Sequence, residues 1–391
     1  MKSTHYWHRQ WRVITIAVEI PLKELEATKK DIKESKQDDK VVNQIMSKIN
    51  KRFGEKSIGF YKDLASNFTL RAIPTQRISL NKTLGAIGGI PLGKITEIYG
   101  PEHTAKTGLL LGTIAEAQKI GLRCALVDAE HATENDYLDI IGVDKSKLLY
   151  CRPDSGEEAL KIVEALVHSK EVDVIGVDSV ASLSPENELS GEMGDSHMAL
   201  QARLMSQAMR KLNAVASKNK VALIFLNQIR ETMKMYGEKE TTPGGKALKF
   251  YSSLRIELRR GSPIKNKQVI IGTEIKANIK KNRLGIPFQT CQFTVHFGKK
   301  FNPLDELHSL TLKFWRRGGG VYTLVDEEKN PILNEEGNEY KAVGKEGVYN
   351  LIKEDEKLVS ILHKRLDDSY KALYEVDVED GDDGEDDVDN E

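Results

Sequence analysis

Cysteine is scarce in this 391-residue chain: three residues, Cys124, Cys151 and Cys291, odd in number and far apart. They form neither a disulfide framework nor a zinc-ligand spacing, and a reducing, cytoplasmic setting is the simplest expectation. Long apolar runs are missing as well. The longest, such as Val221–Leu226, fall far short of the ~20 residues a membrane span needs, which excludes a membrane protein. Near the start, Val13–Val18 is apolar, but Glu19 ends the run before it reaches the ~7–15 residues of a signal-peptide core. Basic residues are absent from Glu375 to Glu391, where eleven residues are acidic. Such a segment buries too little apolar surface to fold, and disorder is expected there. Setting it aside leaves 58 basic against 48 acidic side chains, a net of +10 hidden behind the overall −1. A basic body favours an anionic partner, with nucleic acid the leading class.

The length accommodates two or three domains. Residues 1–37 read as an extension without assigned structure. From Lys40 to Phe53, Val42, Ile45, Met46, Ile49 and Phe53 recur at helical spacing, and Gly54 closes the helix. Its apolar face seeks either the domain behind it or another copy of the chain. From about Ile78 the pattern turns α/β. Strands are expected at Lys94–Tyr99, Arg123–Asp128, Leu148–Cys151, Val172–Val177 and Val221–Leu226, with helices at Lys106–Lys119, Glu157–Ser169 and 196–218. The continuous apolar runs suit strands covered on both faces. Closely spaced strands at Leu254–Leu258, Glu274–Lys280 and Cys291–Phe297 add an antiparallel edge to a mainly parallel sheet. After Asn302, a hairpin around Asn334–Asn338 and helices through Tyr374 form a small C-terminal domain. The expected divisions are 1–37, 38–70, 71–302, 303–374 and 375–391.

Between a strand and a helix lies Gly100, Pro101, Glu102, His103, Thr104, Ala105, Lys106, Thr107 and then Gly108. A phosphate-cradling loop needs that placement: backbone N–H groups and a helix N-terminus face the anion, the lysine reaches the outer phosphates, and the hydroxyl holds Mg²⁺. The motif wants Gly where Ala105 stands, and a left-handed backbone there costs ~1–2 kcal/mol for a non-glycine residue. By itself the spacing also fits an ordinary strand-to-helix turn. Asp178 ends an apolar strand, where an acid can sit beside a metal or merely cap a turn. Asp128 and Glu130 end another and, two apart, can face one crevice, with Glu130 placed to polarise a water.

Taken with longer strings, these residues resemble the RecA family of ATP-dependent homologous-recombination proteins. The strings include Leu84–Gly93 (LGAIGGIPLG), Glu97–Glu102 (EIYGPE), Asp128–Ala132 (DAEHA), Val172–Val180 (VDVIGVDSV), Gly194–Met198 (GDSHM), Met205–Leu212 (MSQAMRKL), Asn227–Arg230 (NQIR) and Gly244–Tyr251 (GGKALKFY). The likeness runs from about Val41 through the C-terminal domain. It implies a RecA-type P-loop NTPase core, α/β with a mainly parallel twisted sheet, flanked by an N-terminal helical segment and a small α+β C-terminal domain. It also implies ATP and Mg²⁺ as cofactors, single-stranded DNA and homologous double-stranded DNA as partners, and self-association into a helical filament. Repressor or single-strand-binding proteins would be further partners, in the cytoplasm, or the host cytoplasm for a phage-encoded member.

Matched one by one, Lys106 and Thr107 take the phosphate and metal-hydroxyl roles, Glu130 activates water, and Asp178 holds the metal through water. Tyr137 and Phe297 flank the adenine, although Tyr137 also reads as a core aromatic. Gln228 reports the γ-phosphate to the following loop. Lys281 and Arg283 reach a neighbour's ATP; without the resemblance they would read as a solvated basic strand. Arg203, Ser206, Gln207, Arg210, Arg230, Tyr236, Gly244 and Gly245 match DNA-contact positions, on one helix face and in loops from Pro185 to about His197 and from Arg230 to Gly245. Apolar Met193, Met235 and Tyr236 at the loop tips suit wedging between bases. Ala105 and Gly108, where the family ordinarily has Gly and Thr, leave open a weakly hydrolysing ATP-binding scaffold. A hexameric helicase motor on the same core is a third reading.

Overall fold

The computed structural model describes residues 40–55, 57–65, 71–191, 199–231 and 240–372. The expected extension, the acidic tail and the loop tips at Met193, Met235 and Tyr236 lie outside the described residues. Among the described residues no helix is long and apolar enough to cross a membrane.

Residues 40–65 form a separate unit. Helix α1 (residues 40–53) ends where Gly54 takes a φ of +107°, and the Asn50 side chain ties the turn to the backbone of Ile58. Val42, Ile45 and Phe53 of its apolar stripe are exposed.

In the second unit, eight strands make one sheet: β1 (Ile95–Gly100), β2 (Cys124–Asp128), β3 (Leu148–Cys151), β4 (Val174–Asp178), β5 (Ala222–Gln228), β6 (Leu254–Asn266), β7 (Val269–Asn282) and β8 (Thr290–His296). Their spatial order is β8-β7-β6-β1-β5-β4-β2-β3. The pairs from β6 through β3 are parallel, and β6-β7 and β7-β8 are antiparallel. Successive residues of a strand enter opposite layers. Cys124, Leu126, Ile224 and Leu226 join one core with α2 (Ile78–Thr83), α3 (Lys106–Lys119) and α4 (Asn135–Ile141). Ala125, Val127, Leu223 and Phe225 join the other with α5 (Gly156–Ser169), α6 (Leu200–Asn219) and α7 (Lys246–Tyr251). Two covered faces explain the unbroken apolar runs, and helical crossovers are how parallel neighbours connect.

Three differences from the sequence reading have physical causes. The β6-β7 hairpin is far longer than its apolar portions, because backbone pairing continues through the polar stretch Arg259–Asn266 with register shifts. The hairpin expected around Asn334–Asn338 is present as a tight turn closed by one antiparallel bridge, Leu333 to Glu339, and a second, unexpected hairpin precedes it. The regular hairpin joins Trp315–Gly318 to Val321–Leu324 through Gly319 and Gly320, both at positive φ, and Lys341–Val343 adds the third strand. Helix α4, which carries Tyr137, has no counterpart among the expected elements. Helices Pro303–Thr311, Gly344–Glu354 and Glu356–Ala372 bury Leu307, Val348, Ile352, Leu358, Leu362 and Leu366 against that small sheet. Glu306 fastens it to the rest, accepting from Ile78 N, Ser79 N and the Ser79 hydroxyl.

Candidate functional site

The parallel strands end together. Gly100 is level with Gln228, and Asp128 with Asp178, so the C-terminal edge of the sheet gathers most of the candidate residues. A crevice at this edge is where open α/β sheets bind ligands.

Gly100 leaves β1 so close to the neighbouring strand that a Cβ would lie 2.2 Å from Leu258 O; only glycine fits. Pro101, Glu102, His103 and Thr104 form the turn, with the Thr104 hydroxyl bonded to Pro101 O at 2.8 Å. Ala105 precedes α3 at φ +62° and ψ +28°, so the expected left-handed strain is present. Lys106 opens α3, and its ammonium donates to Gly100 O (3.1 Å) and Pro101 O (2.7 Å), the loop's own carbonyls. Burial lowers its pKa, while Asp178, Glu130 and Glu102 pull it the other way. The Thr107 hydroxyl donates to Asp178 Oδ2 at 2.7 Å. Burial pushes Asp178 up to about 7; the Thr107 bond opposes this, and the nearby Glu130 and Asp128 carboxylates add to it. A hydroxyl and a carboxylate side by side are the hard oxygen groups that suit Mg²⁺. The site therefore fits such a cation with a bound triphosphate.

Glu130 is exposed, and Gln228 Nε2 donates to its Oε1 at 3.3 Å. Asp128 corrects an expectation. It does not share the crevice with Glu130, because β2 stops at Asp128 and the alternation of a strand no longer applies beyond it. Its fully buried carboxylate turns back to accept from Ala132 N, Thr133 N and the Tyr150 hydroxyl.

Tyr137 and the exposed Phe297 line one cavity of about 1060 Å³ together with His103, Ala105, Gly108 and Arg77. Tyr137 also packs against the core. Its hydroxyl lies 2.6 Å from where a Cβ on Gly108 would stand, so a threonine there would force this hydroxyl to move, which accounts for the glycine. Arg77, unforeseen from sequence, is buried under Phe293 and Phe301, with ring centres 5.0 and 4.3 Å from the guanidinium carbon.

Lys281 and Arg283 come together, as expected of residues two apart, but not at the phosphate loop. Lys281 Nζ donates to Lys249 O (2.8 Å) and Phe250 O (3.0 Å), and Arg283 Nη2 to Phe250 O (3.2 Å), in the last turn of α7. Burial, then Arg283 and Arg255, push Lys281 down to about 8.

On α6, Arg203, Gln207 and Arg210 are exposed and Ser206 is half-buried. Gly244 and Gly245 sit at φ +80° and +73°, each too close to its neighbours for a Cβ. Arg230 pairs with Thr241 at the root of the second loop. A buried network joins this root to the sheet edge. Asn227 Nδ2 donates to Glu97 Oε1 (3.0 Å) and Pro243 O (3.1 Å), its Oδ1 accepts from Gln228 N, and Arg255 Nε meets Glu97 Oε2 at 2.5 Å. Glu97 is absent from the residues singled out by motif, although a lone acid inside the mostly apolar strand Ile95–Gly100 signals a buried partner.

Ala105→Gly is expected to stabilise the chain by about 0.5–1 kcal/mol, strain relief of ~1–2 kcal/mol offset by the glycine's greater unfolded freedom. Thermal unfolding checks this, and a lowered midpoint would contradict the strain.

A family model, the RecA N-terminal domain, matches residues 40–302. The Protein RecA of Chlorobaculum parvum is 43% identical over 333 residues, covering 84% of this chain and 92% of that protein. Those of Symbiobacterium thermophilum and Thermus aquaticus are each 48% identical, over 261 and 270 residues, which is 66% and 68% of this chain and 74% and 79% of theirs.

Proposed function

The chain belongs to the RecA family, and from that premise we propose an ATP- and Mg²⁺-dependent recombinase. It polymerises as a helical filament on single-stranded DNA, hydrolyses ATP when DNA is bound, and pairs the held strand with homologous duplex for exchange. The observation that carries this reading is the convergence of Lys106, Thr107, Asp178, Glu130 and Gln228 at one sheet edge, joined through Asn227 to the root of the second loop.

Lys106 exchanges its contacts with Gly100 O and Pro101 O for the outer phosphates, and the amides from Glu102 to Thr107 cradle the anion. Thr107 and Asp178 would hold Mg²⁺, which would neutralise phosphate charge when bound. Glu130 orients the attacking water and accepts its proton. The Gln228 amide, released from Glu130 to the γ-phosphate, shifts the segment that Asn227 ties to Pro243. Tyr137 and Phe297 enclose the base. Lys281 and Arg283 serve the ATP of the next copy, where added cations stabilise transition-state charge only after assembly. Helix α1 offers its exposed Val42, Ile45 and Phe53 to that copy. Arg203, Ser206, Gln207 and Arg210 face the DNA backbone, and the Gly244–Gly245 amides meet phosphates. Residues 38–70 serve assembly, 71–302 the chemistry, and 303–374 a separate small domain. The strained Ala105 favours a second reading, a filament that hydrolyses slowly. ATP turnover with and without oligo-dT separates the two: at least tenfold stimulation is expected, and none would leave only the scaffold.

A further inference from the structure

Glu130 stands in a segment of irregular backbone, residues 129–134, with His131 at φ +57°. Nothing in its own secondary structure holds an exposed carboxylate there to the tolerance a reaction needs, roughly 0.5 Å. On the inner side, Ala129 N and Glu130 N donate to Asp178 O at 2.7 and 3.0 Å. On the outer side the fastening comes from the end of the edge strand β3. The Tyr150 hydroxyl donates to Asp128 Oδ2 at 2.7 Å, and the same oxygen accepts from Thr133 N at 3.1 Å, so one carboxylate joins the strand end to the far side of the loop. Behind it, Arg152 Nε donates to the Tyr150 hydroxyl at 2.6 Å and Nη2 to Thr133 O at 3.3 Å. The Arg152 guanidinium also lies over the Tyr150 ring, 5.5 Å from its centre. His131 Nε2 makes a further contact, 3.3 Å to Pro153 O. Three residues of the four from Tyr150 to Pro153 (Tyr150, Arg152 and Pro153) thus grip the loop at three points, while Glu130 between those points remains free to face the crevice.

Chemistry sets what each side chain must be. The tyrosine hydroxyl can accept from Arg152 and donate to Asp128 at once, which an aliphatic side chain cannot do. Asp128 is fully buried, and such a carboxylate needs several donors to remain an anion; it has them in Tyr150, Thr133 and Ala132. Neither Tyr150 nor Arg152 contacts the phosphate loop among the described residues, so any influence on hydrolysis passes through the loop that bears Glu130.

We propose that Tyr150, backed by Arg152, is a positioning residue for ATP hydrolysis, fixing the 128–133 loop so that the Glu130 carboxylate stays aimed at the attacking water. This rests on the role given above to Glu130. The test is a double-mutant cycle on the full chain, following single-turnover and steady-state ATP hydrolysis with oligo-dT present, for Tyr150→Phe, Glu130→Gln and the pair. Tyr150→Phe keeps the ring and removes both hydroxyl bonds. It is expected to lower kcat about tenfold with KM for ATP within about twofold, since a misplaced group loses rate rather than affinity. In the Glu130→Gln background the same change is expected to have no further effect, because the base it positions is gone. Arg152→Gln, which leaves the tyrosine in place, repeats the cycle with a smaller drop of about threefold and covers any folding defect of the first variant. A drop of equal size with and without Glu130, an effect on KM alone, or unchanged kcat overturns the proposal. Should Glu130→Gln itself leave turnover intact, the role of Glu130 fails, which is a separate result from failure of Tyr150 alone.

Discussion

Glu130→Gln is expected to lower DNA-stimulated ATP turnover by about 10²–10⁴-fold, the usual contribution of a positioned general base. Nucleotide affinity should stay within about twofold, because Lys106, Thr107 and Asp178, to which the phosphate and metal contacts are assigned in the proposed function, are not altered. The amide retains the size of the carboxylate but cannot take a proton. It can still meet Gln228, whose Nε2 lies 3.3 Å from the wild-type Oε1, so the loop connection through Asn227 survives in outline. Equilibrium binding of a fluorescent ATP analogue, set beside turnover, checks the separation. Parallel loss of both would mean that Glu130 holds nucleotide rather than activating water.

Replacing Lys281 and Arg283 together by Ala should cost about 10³-fold or more in turnover, the scale of cations supplied in trans to phosphoryl transfer. Both residues bond the last turn of α7 in a single copy and make no contact with its phosphate loop among the described residues. In the proposed assembly they leave these carbonyls for a neighbour's phosphates. Mixing this double variant with Glu130→Gln protein is therefore expected to restore turnover at junctions where an intact nucleotide face meets an intact cationic one. Equal inactivity of the mixture would contradict the arrangement. A pH dependence follows from Lys281, lowered to about 8 by burial and by its Arg283 and Arg255 neighbours. The lysine loses its proton as pH rises through that value, although a phosphate drawn near moves the loss upward. ATP-dependent assembly should thus weaken above pH 8, and Lys281→Arg should flatten the profile, since a guanidinium stays charged throughout.

Much of this was legible in the residues because burial on both faces writes itself as unbroken apolar runs. The strands ending in Asp128, Asp178 and Gln228 could be placed, and helix Lys106–Lys119 coincides with its expected bounds. The strain at Ala105 was also readable, since a phosphate loop demands a backbone that alanine resists. What escaped depends on pairing across the fold. The long β6-β7 hairpin persists through Arg259–Asn266 on backbone bonds, which leave no apolar signature. Asp128 and Glu130 stand two apart, but the strand stops at Asp128, so strand alternation does not put them on one side. Tyr150 and Arg152 carry no motif, and their meaning comes from lying beside Asp128 at the sheet edge. Gly108 looked like a defect in the phosphate loop, and only the Tyr137 hydroxyl beside it supplies the reason.

The most direct measurement of the central claim, that ATP lodged between copies drives assembly on unpaired DNA, is electron microscopy of the full chain with oligo-dT, Mg²⁺ and a slowly hydrolysed ATP analogue. Right-handed helical filaments that disappear when the nucleotide is withheld are predicted. Protein that remains monomeric with DNA, Mg²⁺ and analogue all present would contradict it.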